Sequence, residues 1–234
     1  MILAIAGLVT LACPANFALD FHLDKWEQSA AKVNSYSAKF ELTRTEAVFR
    51  KDRKSTGNIL LLKPKMFRLS ITSVSDPNNH EVYICDGKSI FDYEWSTKTV
   101  TEISPAYAET PLIDLFLGFK ASESKKRFRI EQFQADDKYY VYLDIKPTLG
   151  KDRQEFEQIR MALNGPGAKS PLIPYTPAKF WIEKPNGDTE QWSFSDQVMC
   201  VKEGGKEIGP ERFQYEEPKG KGWIIRKATV LPKP

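Results

Sequence analysis

The sequence predicts a mainly β fold of the α+β type: one strongly curved antiparallel sheet with helices packed into its concave side. Three observations lead there. From Tyr36 onward the hydrophobic period is two, with Tyr36, Ala38, Phe40 and Leu42 alternating with Ser37, Lys39, Glu41 and Thr43. Short apolar runs then follow one another, separated by turn signals such as Lys63-Pro64, Asp86-Gly87 and Pro185-Asn186-Gly187-Asp188. Nothing alternates as strand, helix, strand, so a parallel sheet is not expected.

The elements fall in a definite order. Leu23, Trp26, Ala30 and Val33 recur at helical spacing and predict an amphipathic helix over 20–35. The first strand covers 36–42. The charged run Arg50-Lys51-Asp52-Arg53-Lys54, closed by Gly57, reads as a solvated hairpin tip. Strands are expected over 59–62, 66–71, 80–85, 89–95 and 99–103. Pro111 suits a first helical turn, and Leu112, Leu115, Phe116 and Phe119 mark one apolar helix face. A second short helix is expected over 121–126. Strands resume over 128–133, 139–145 and 156–163. Residues 164–177 read as a surface loop, 180–183 and 190–194 as a hairpin, and the end of the chain as a loose basic tail. No repeat and no long polar linker divides the 234 residues, so 20–234 is expected to form a single domain.

The segment before it has a different character. Ile2–Cys13 is an apolar run too short to span a bilayer and suited to the core of a secretory signal, with small residues after it; residues 1–19 are assigned to such a signal. Thr10-Leu11-Ala12-Cys13 weakly resembles a lipobox, which makes Cys13 a candidate acylation site. Export would place Cys85 and Cys200 in an oxidising space, where pairing depends on whether the fold brings them together.

Much chemistry has little material. The 34 basic and 31 acidic residues nearly cancel, which argues against nucleic acid as a partner. The three cysteines lack zinc-site spacing, and the two histidines, His22 and His80, stand alone. Nucleophile-elbow, Walker, dinucleotide-binding and zinc-protease motifs are all missing. Adjacent carboxylates such as Asp136-Asp137 and Glu216-Glu217 point to opposite faces of a strand and cannot converge on one proton. The expectation is therefore a protein that is not an enzyme and needs no cofactor or metal.

Specific residues add a resemblance. Residues 57–69, Gly-Asn-Ile-Leu-Leu-Leu-Lys-Pro-Lys-Met-Phe-Arg-Leu, resemble the strand, basic residue, proline and Phe-Arg segment of the LolA family of periplasmic lipoprotein carriers. Asp86-Gly87-Lys88-Ser89-Ile90-Phe91-Asp92-Tyr93 resembles that family's following hairpin, Thr110-Pro111-Leu112 the start of its central helix, and residues 208–215 its C-terminal segment. The match is closer to a LolA-like subfamily than to the carrier itself. The resemblance implies an unclosed β-barrel with a helical lid over an apolar cavity for acyl chains of lipoproteins or lipids. It also implies a monomer located in the periplasm or cell envelope, with inner- and outer-membrane docking proteins. The carrier's arginine before the proline is Lys63 here, and lysine cannot make the same forked hydrogen bonds to a lid.

A carrier of this kind needs a concave apolar wall. Burying a methylene gains roughly 0.8 kcal/mol, so exposing a sixteen-carbon chain costs on the order of 12 kcal/mol. Phe67, Leu69 and Ile71 share one strand face, as do Phe40 and Leu42, and Leu112, Leu115 and Phe116 suit the inner face of a lid. These eight residues are the candidate acyl-chain site, with Lys63 and Pro64 at its rim. The same residues also read as an ordinary closed core, and both readings stay open. So does a second function, an envelope sensor or protein-interaction module built on the same fold. Export predicts that the mature protein begins between Cys13 and Asp20; N-terminal sequencing from the native host checks this, and an intact Met1 on cytoplasmic protein contradicts it.

Overall fold

The structure, a computed structural model, describes residues 15–104, 115–116, 119–168 and 173–228. Leu112, Cys13 and the Thr110-Pro111-Leu112 match lie outside the described residues. Among the described residues twelve strands form one sheet in the order β14 (Ile224–Ala228), β6 (Thr99–Ile103), β5 (Ile90–Glu94), β4 (His80–Cys85), β3 (Met66–Ser73), β2 (Lys51–Leu62), β1 (Ser35–Glu46), β11 (Thr189–Met199), β10 (Pro177–Glu183), β9 (Gln158–Asn164), β8 (Tyr140–Pro147) and β7 (Phe128–Phe133), and its ends β14 and β7 do not join; the short strands β12 (Lys202–Glu203) and β13 (Lys206–Glu207) pair with each other apart from it. The sheet curls around α1 (Ala15–Lys32) and the helical residues Leu115 and Phe116, with α2 (Ala121–Arg127) leading into the edge strand β7 (Phe128–Phe133). Among the described residues no helix is long and apolar enough to cross a membrane.

Period-two patterning explains the central strands. β1 (Ser35–Glu46) pairs with β2 (Lys51–Leu62) on one side and with β11 (Thr189–Met199) on the other. Its residues Tyr36, Ala38, Phe40 and Leu42 enter the concave core, while Lys39 and Glu41 face water. β3 (Met66–Ser73) sends Phe67, Leu69 and Ile71 to the same side. β4 (His80–Cys85), β5 (Ile90–Glu94) and β6 (Thr99–Ile103) continue the meander. Their opposite face carries Val82, Ile84, Tyr93 and Val100, which pack beneath Ile208 and Phe213 of the C-terminal segment as a second core. Beyond β11 run β10 (Pro177–Glu183), β9 (Gln158–Asn164) and β8 (Tyr140–Pro147), out to β7.

Four expectations need correction. The helix α1 starts at Ala15 and ends at Lys32, because Leu19 extends the Leu23 and Trp26 stripe backward. The charged run is not a turn: the tip is Ala47–Arg50, and Lys51–Lys54 already belong to β2. Both faces of that ribbon end meet water, so charged residues satisfy the strand, helped by the Arg53–Glu46 pair at 2.5 Å and a Thr45–Asp52 bond at 2.7 Å. The presumed basic tail contains β14 (Ile224–Ala228), which joins β6 in parallel. Edge addition of this kind rests on backbone hydrogen bonds and leaves Ile224 and Ile225 exposed, so alternation gives no sign of it. Lastly, the 164–177 stretch is not all surface. Asn164 donates to Thr176 Oγ1 (2.8 Å) and Gln197 Oε1 (3.3 Å), Gln197 donates to the Pro177 carbonyl (3.1 Å), and Tyr175 is buried.

One glycine shapes the concave wall. Gly57 on β2 lies opposite Phe40 on β1, and a Cβ there would overlap the Phe40 ring and the Ser70 carbonyl oxygen of β3. The bare backbone lets Phe40 lie flat against the sheet. Gly57→Ala is expected to lower stability by about 1–3 kcal/mol through overpacking, read as a lower midpoint in urea unfolding.

Candidate functional site

The concave face changes character along the strands. On β1 the inward residues run Tyr36, Ala38, Phe40, Leu42, and then Arg44 and Glu46. The neighbours change in step: Leu61 and Ile59 give way to Ser55 and Arg53 on β2, Cys85 to Glu81 on β4, Ile90 to Asp92 and Glu94 on β5, Phe194 and Trp192 to Glu190 on β11. Antiparallel register aligns the changes, so one half of the concavity is apolar and the other half, toward the β1–β2 tip, is a polar mouth.

The apolar half is filled by aromatic rings. Phe116 meets Tyr36, Phe180 and Phe194 at centroid distances of 5.3, 5.2 and 5.1 Å, and Phe40 meets Trp192 at 4.9 Å. Trp26 of α1 stacks on Phe119 at 3.5 Å. Beneath α1 lies a void of about 10 Å³ bounded by Trp26, Ala30, Val33, Tyr36, Phe116 and Tyr175. Two of its walls carry polar atoms with no hydrogen-bond partner, Trp26 Nε1 and Tyr36 OH, although these residues are 0% and 2% exposed. Burial pushes the Tyr36 phenol well above its ordinary range.

The cover over this half is held by polar contacts at its margins. Lys63 Nζ donates to the Ala30 carbonyl in the last turns of α1 at 2.8 Å, and the Lys63 N–H donates to the Asn34 carbonyl at 2.9 Å. An ammonium at a helix C-terminus meets exposed carbonyls and the negative end of the dipole. Burial draws the Lys63 ammonium below its ordinary value, with the nearby Cys200 acting the other way. Ser29 Oγ donates to the Pro174 carbonyl (2.9 Å), and Glu27 accepts from the Ala121 N–H at the start of α2 (2.9 Å).

The mouth is a pocket of about 230 Å³ whose walls include Arg44, Arg53, Glu81, Lys184 and Glu190. Glu190 Oε1 lies 2.8 Å from Lys184 Nζ and 3.3 Å from Arg44 Nε, and Glu190 Oε2 accepts from Trp192 Nε1 at 3.1 Å. Burial pushes this carboxyl up, but Lys184 and Arg44 outweigh it and hold it below its usual value. Asp92 behaves in the opposite way. Burial, joined by the negative charges of Glu94 and Glu81, raises it to about 7, and its Oδ1 has no partner. Across the ladder from Asp92 stands Tyr83, whose hydroxyl donates to Glu81 Oε2 at 3.2 Å.

Of the candidate site residues, Phe40, Leu42, Phe67, Ile71, Leu115 and Phe116 are buried in one cluster, and Leu69 packs against it half-buried. Lys63 and Pro64 sit in the β2–β3 turn, joined by a cis bond. Cys85 and Cys200 are both free thiols. Sequence reasoning missed Trp26 and Tyr36 as polar members of the apolar half, and it missed the whole mouth. The mouth did have a signal: Arg44 and Glu46 share the parity of Phe40 and Leu42. No group of three potential metal ligands occurs among the described residues.

Two outcomes follow from this geometry. Lys63→Met removes the hold on α1 and is expected to lower stability by about 1 kcal/mol, with faster amide exchange confined to the end of α1. Asp92 holds its proton more tightly folded than unfolded. Wild type and Asp92→Asn should therefore melt together near pH 4, and the wild type should fall progressively below the variant as pH rises through about 7. Melting temperatures measured across that range check the sign.

Comparison with known proteins bears on this arrangement. No curated protein matches the chain. Among solved structures it is similar to a LolA superfamily protein from Nitrosomonas europaea, with 10% identity over 84% of this chain and 97% of that one and a TM-score of 0.47. It is also similar to a DUF1329 family protein from Desulfovibrio piger (11% identity, 86% and 98% covered, TM-score 0.48) and to the lipoprotein LppX of Mycobacterium tuberculosis (9% identity, 78% and 98% covered, TM-score 0.45). The family model described as outer membrane lipoprotein carrier protein LolA matches residues 31–169, more than half of the sequence and spanning β1 to β9, and the chain belongs to the LolA family.

Proposed function

We propose that this protein is an exported carrier for acylated cargo, a lipoprotein or lipid, with the acyl chain taken into the apolar half of the concave face and the polar head left at the mouth. The observation that carries this reading is the division of one concave surface into an apolar and a charged half along the strand direction. A closed core has no need of such a division, because it excludes water everywhere. A tail-and-head ligand matches it end to end.

In the closed form Phe116 and its ring neighbours occupy the space an acyl chain would take. Entry therefore requires the cover to lift, and the sheet permits this because its concave face is roofed by α1 with Leu115, Phe116 and Phe119 and not by a second sheet. The cover's marginal contacts are few and polar, so water can replace them as it moves. Within this reading Phe40, Leu42, Phe67, Leu69, Ile71, Leu115 and Phe116 line the acyl site, and Lys63 holds the cover shut. We assign Leu112 to the same lining.

Native mass spectrometry of the protein taken from its own envelope, together with binding of a fluorescent fatty acid, tests the proposal. Bound lipid and saturable uptake are expected. Leu69→Glu is the informative variant, because Leu69 is half-buried and a carboxylate there can reach water where one at Phe67 cannot. Lost uptake with an unchanged melting transition supports the acyl site. A wild-type protein that carries no lipid and takes up no fatty acid overturns it.

A further inference from the structure

The end of the β1–β2 hairpin has a composition that neither core nor cover explains. Its tip, Ala47–Arg50, presents Val48 and Phe49 with 83% and 75% of their surfaces exposed. Adjacent large apolar residues at the end of a projection are unfavourable in water and mark a contact. The projection is real: the β3 ladder on β2 ends at Ser55, with one further backbone bond from the Val74 N–H to the Lys54 carbonyl (2.9 Å), so Lys51–Arg53 and the tip overhang that side of the sheet by about 10 Å. It is also held in place. The Ala47 N–H donates to Asp188 Oδ1 in the neighbouring β10–β11 turn at 2.9 Å, and Arg50 closes the tip in the left-handed region at φ +47°.

Charge surrounds the apolar pair. Residues 44–54 contain Arg44, Arg50, Lys51, Arg53 and Lys54 against Glu46 and Asp52, a net charge equal to the +3 of the whole chain. Glu46 is engaged by Arg53 and Asp52 by Thr45. Arg50, Lys51 and Lys54 are exposed and have no acidic partner among the described residues. Although Asp188 and Glu190 of the neighbouring hairpin adjoin it, the last of these engaging Arg44, the tip itself is flanked by the cations Arg50, Lys51 and Lys54.

We propose that this hairpin tip docks the protein on an anionic bilayer, with Val48 and Phe49 entering the headgroup region and Arg50, Lys51 and Lys54 meeting lipid phosphates. A convex apolar point ringed by cations fits a fluid anionic surface, which needs no shape complementarity. A protein partner would call for an anchor or pocket of fixed shape. Arg44, Glu46 and Arg53 belong both to the hairpin and to the wall of the mouth, so docking at the tip brings the mouth to the membrane. This step goes beyond the carrier reading and can fail separately from it.

The test is co-sedimentation of the full protein with vesicles of phosphatidylglycerol and phosphatidylethanolamine, beside vesicles of phosphatidylcholine alone. Binding to the anionic vesicles only, weakened by salt, is expected. The double variant Val48→Ser, Phe49→Ser should bind about tenfold more weakly, and Lys51→Gln with Lys54→Gln should reduce both binding and its salt dependence. All four positions are exposed, so melting and fatty-acid uptake should not change. Absence of wild-type binding to anionic vesicles overturns the proposal, as does binding that the serine variant leaves unchanged. Loss of an acidic protein partner in that variant without any vesicle binding does the same and assigns the tip to a protein contact.

Discussion

Everything in this fold depends on one constraint: a long, strongly twisted sheet with one apolar face that it does not close over. A sheet that joins its own edges buries that face without help. Here β14 and β7 remain apart, so the concave surface must be roofed by helix. Trp26, Leu23 and Phe116 do this with large flat or branched side chains packed against those of the concave face. The roof therefore contributes much of the apolar burial while being bonded to the sheet only at its margins, through contacts such as Lys63 to Ala30. On the carrier reading proposed above, stability and the capacity to open reside in the same element.

The second face solves a different problem. β2 to β6 would expose Leu60, Val82, Ile84 and Val100 on the convex side if the chain ended at β11. Instead residues 208–223 fold back across them, with Phe213 fully buried and Tyr93 donating its hydroxyl to the Glu216 carbonyl at 2.8 Å. The chain then has nowhere to go but the free edge of β6, and β14 adds there in parallel. Covering the convex face at one end leaves the concave face as the surface that only the helical roof protects.

How much of this was legible in the sequence follows from what each element depends on. Strands such as 128–133 and 80–85 could be read because alternation is a local property and one face of each is buried. The curved antiparallel architecture followed from their order. β14 could not be read, since its pairing rests mainly on backbone groups, with one Lys227–Glu102 ion pair beside them, and Ile224 and Ile225 stay exposed. The β2 segment from Lys51 to Lys54 was hidden for the opposite reason: as a strand end that runs past β3 and is wetted on both faces, it tolerates the composition of a turn. The apolar candidates were visible through parity. The mouth was hidden because Arg44, Glu81 and Glu190 are far apart in sequence and come together only through strand register.

The unpaired Trp26 Nε1 and Tyr36 OH show how the roof is poised. Each buried donor without a partner costs about 1–3 kcal/mol relative to a hydrated one. Phenylalanine in place of Tyr36 would keep that ring's packing and remove the cost of its buried hydroxyl. The seat of α1 is thus less favourable than the same rings could make it, and the deficit disappears when the roof lifts and water, or an acceptor on an incoming molecule, reaches those atoms. A core selected for stability alone has no use for such groups at the base of its cover. If the protein carries acyl chains as proposed, they narrow the gap between the closed and open forms without weakening the sheet itself.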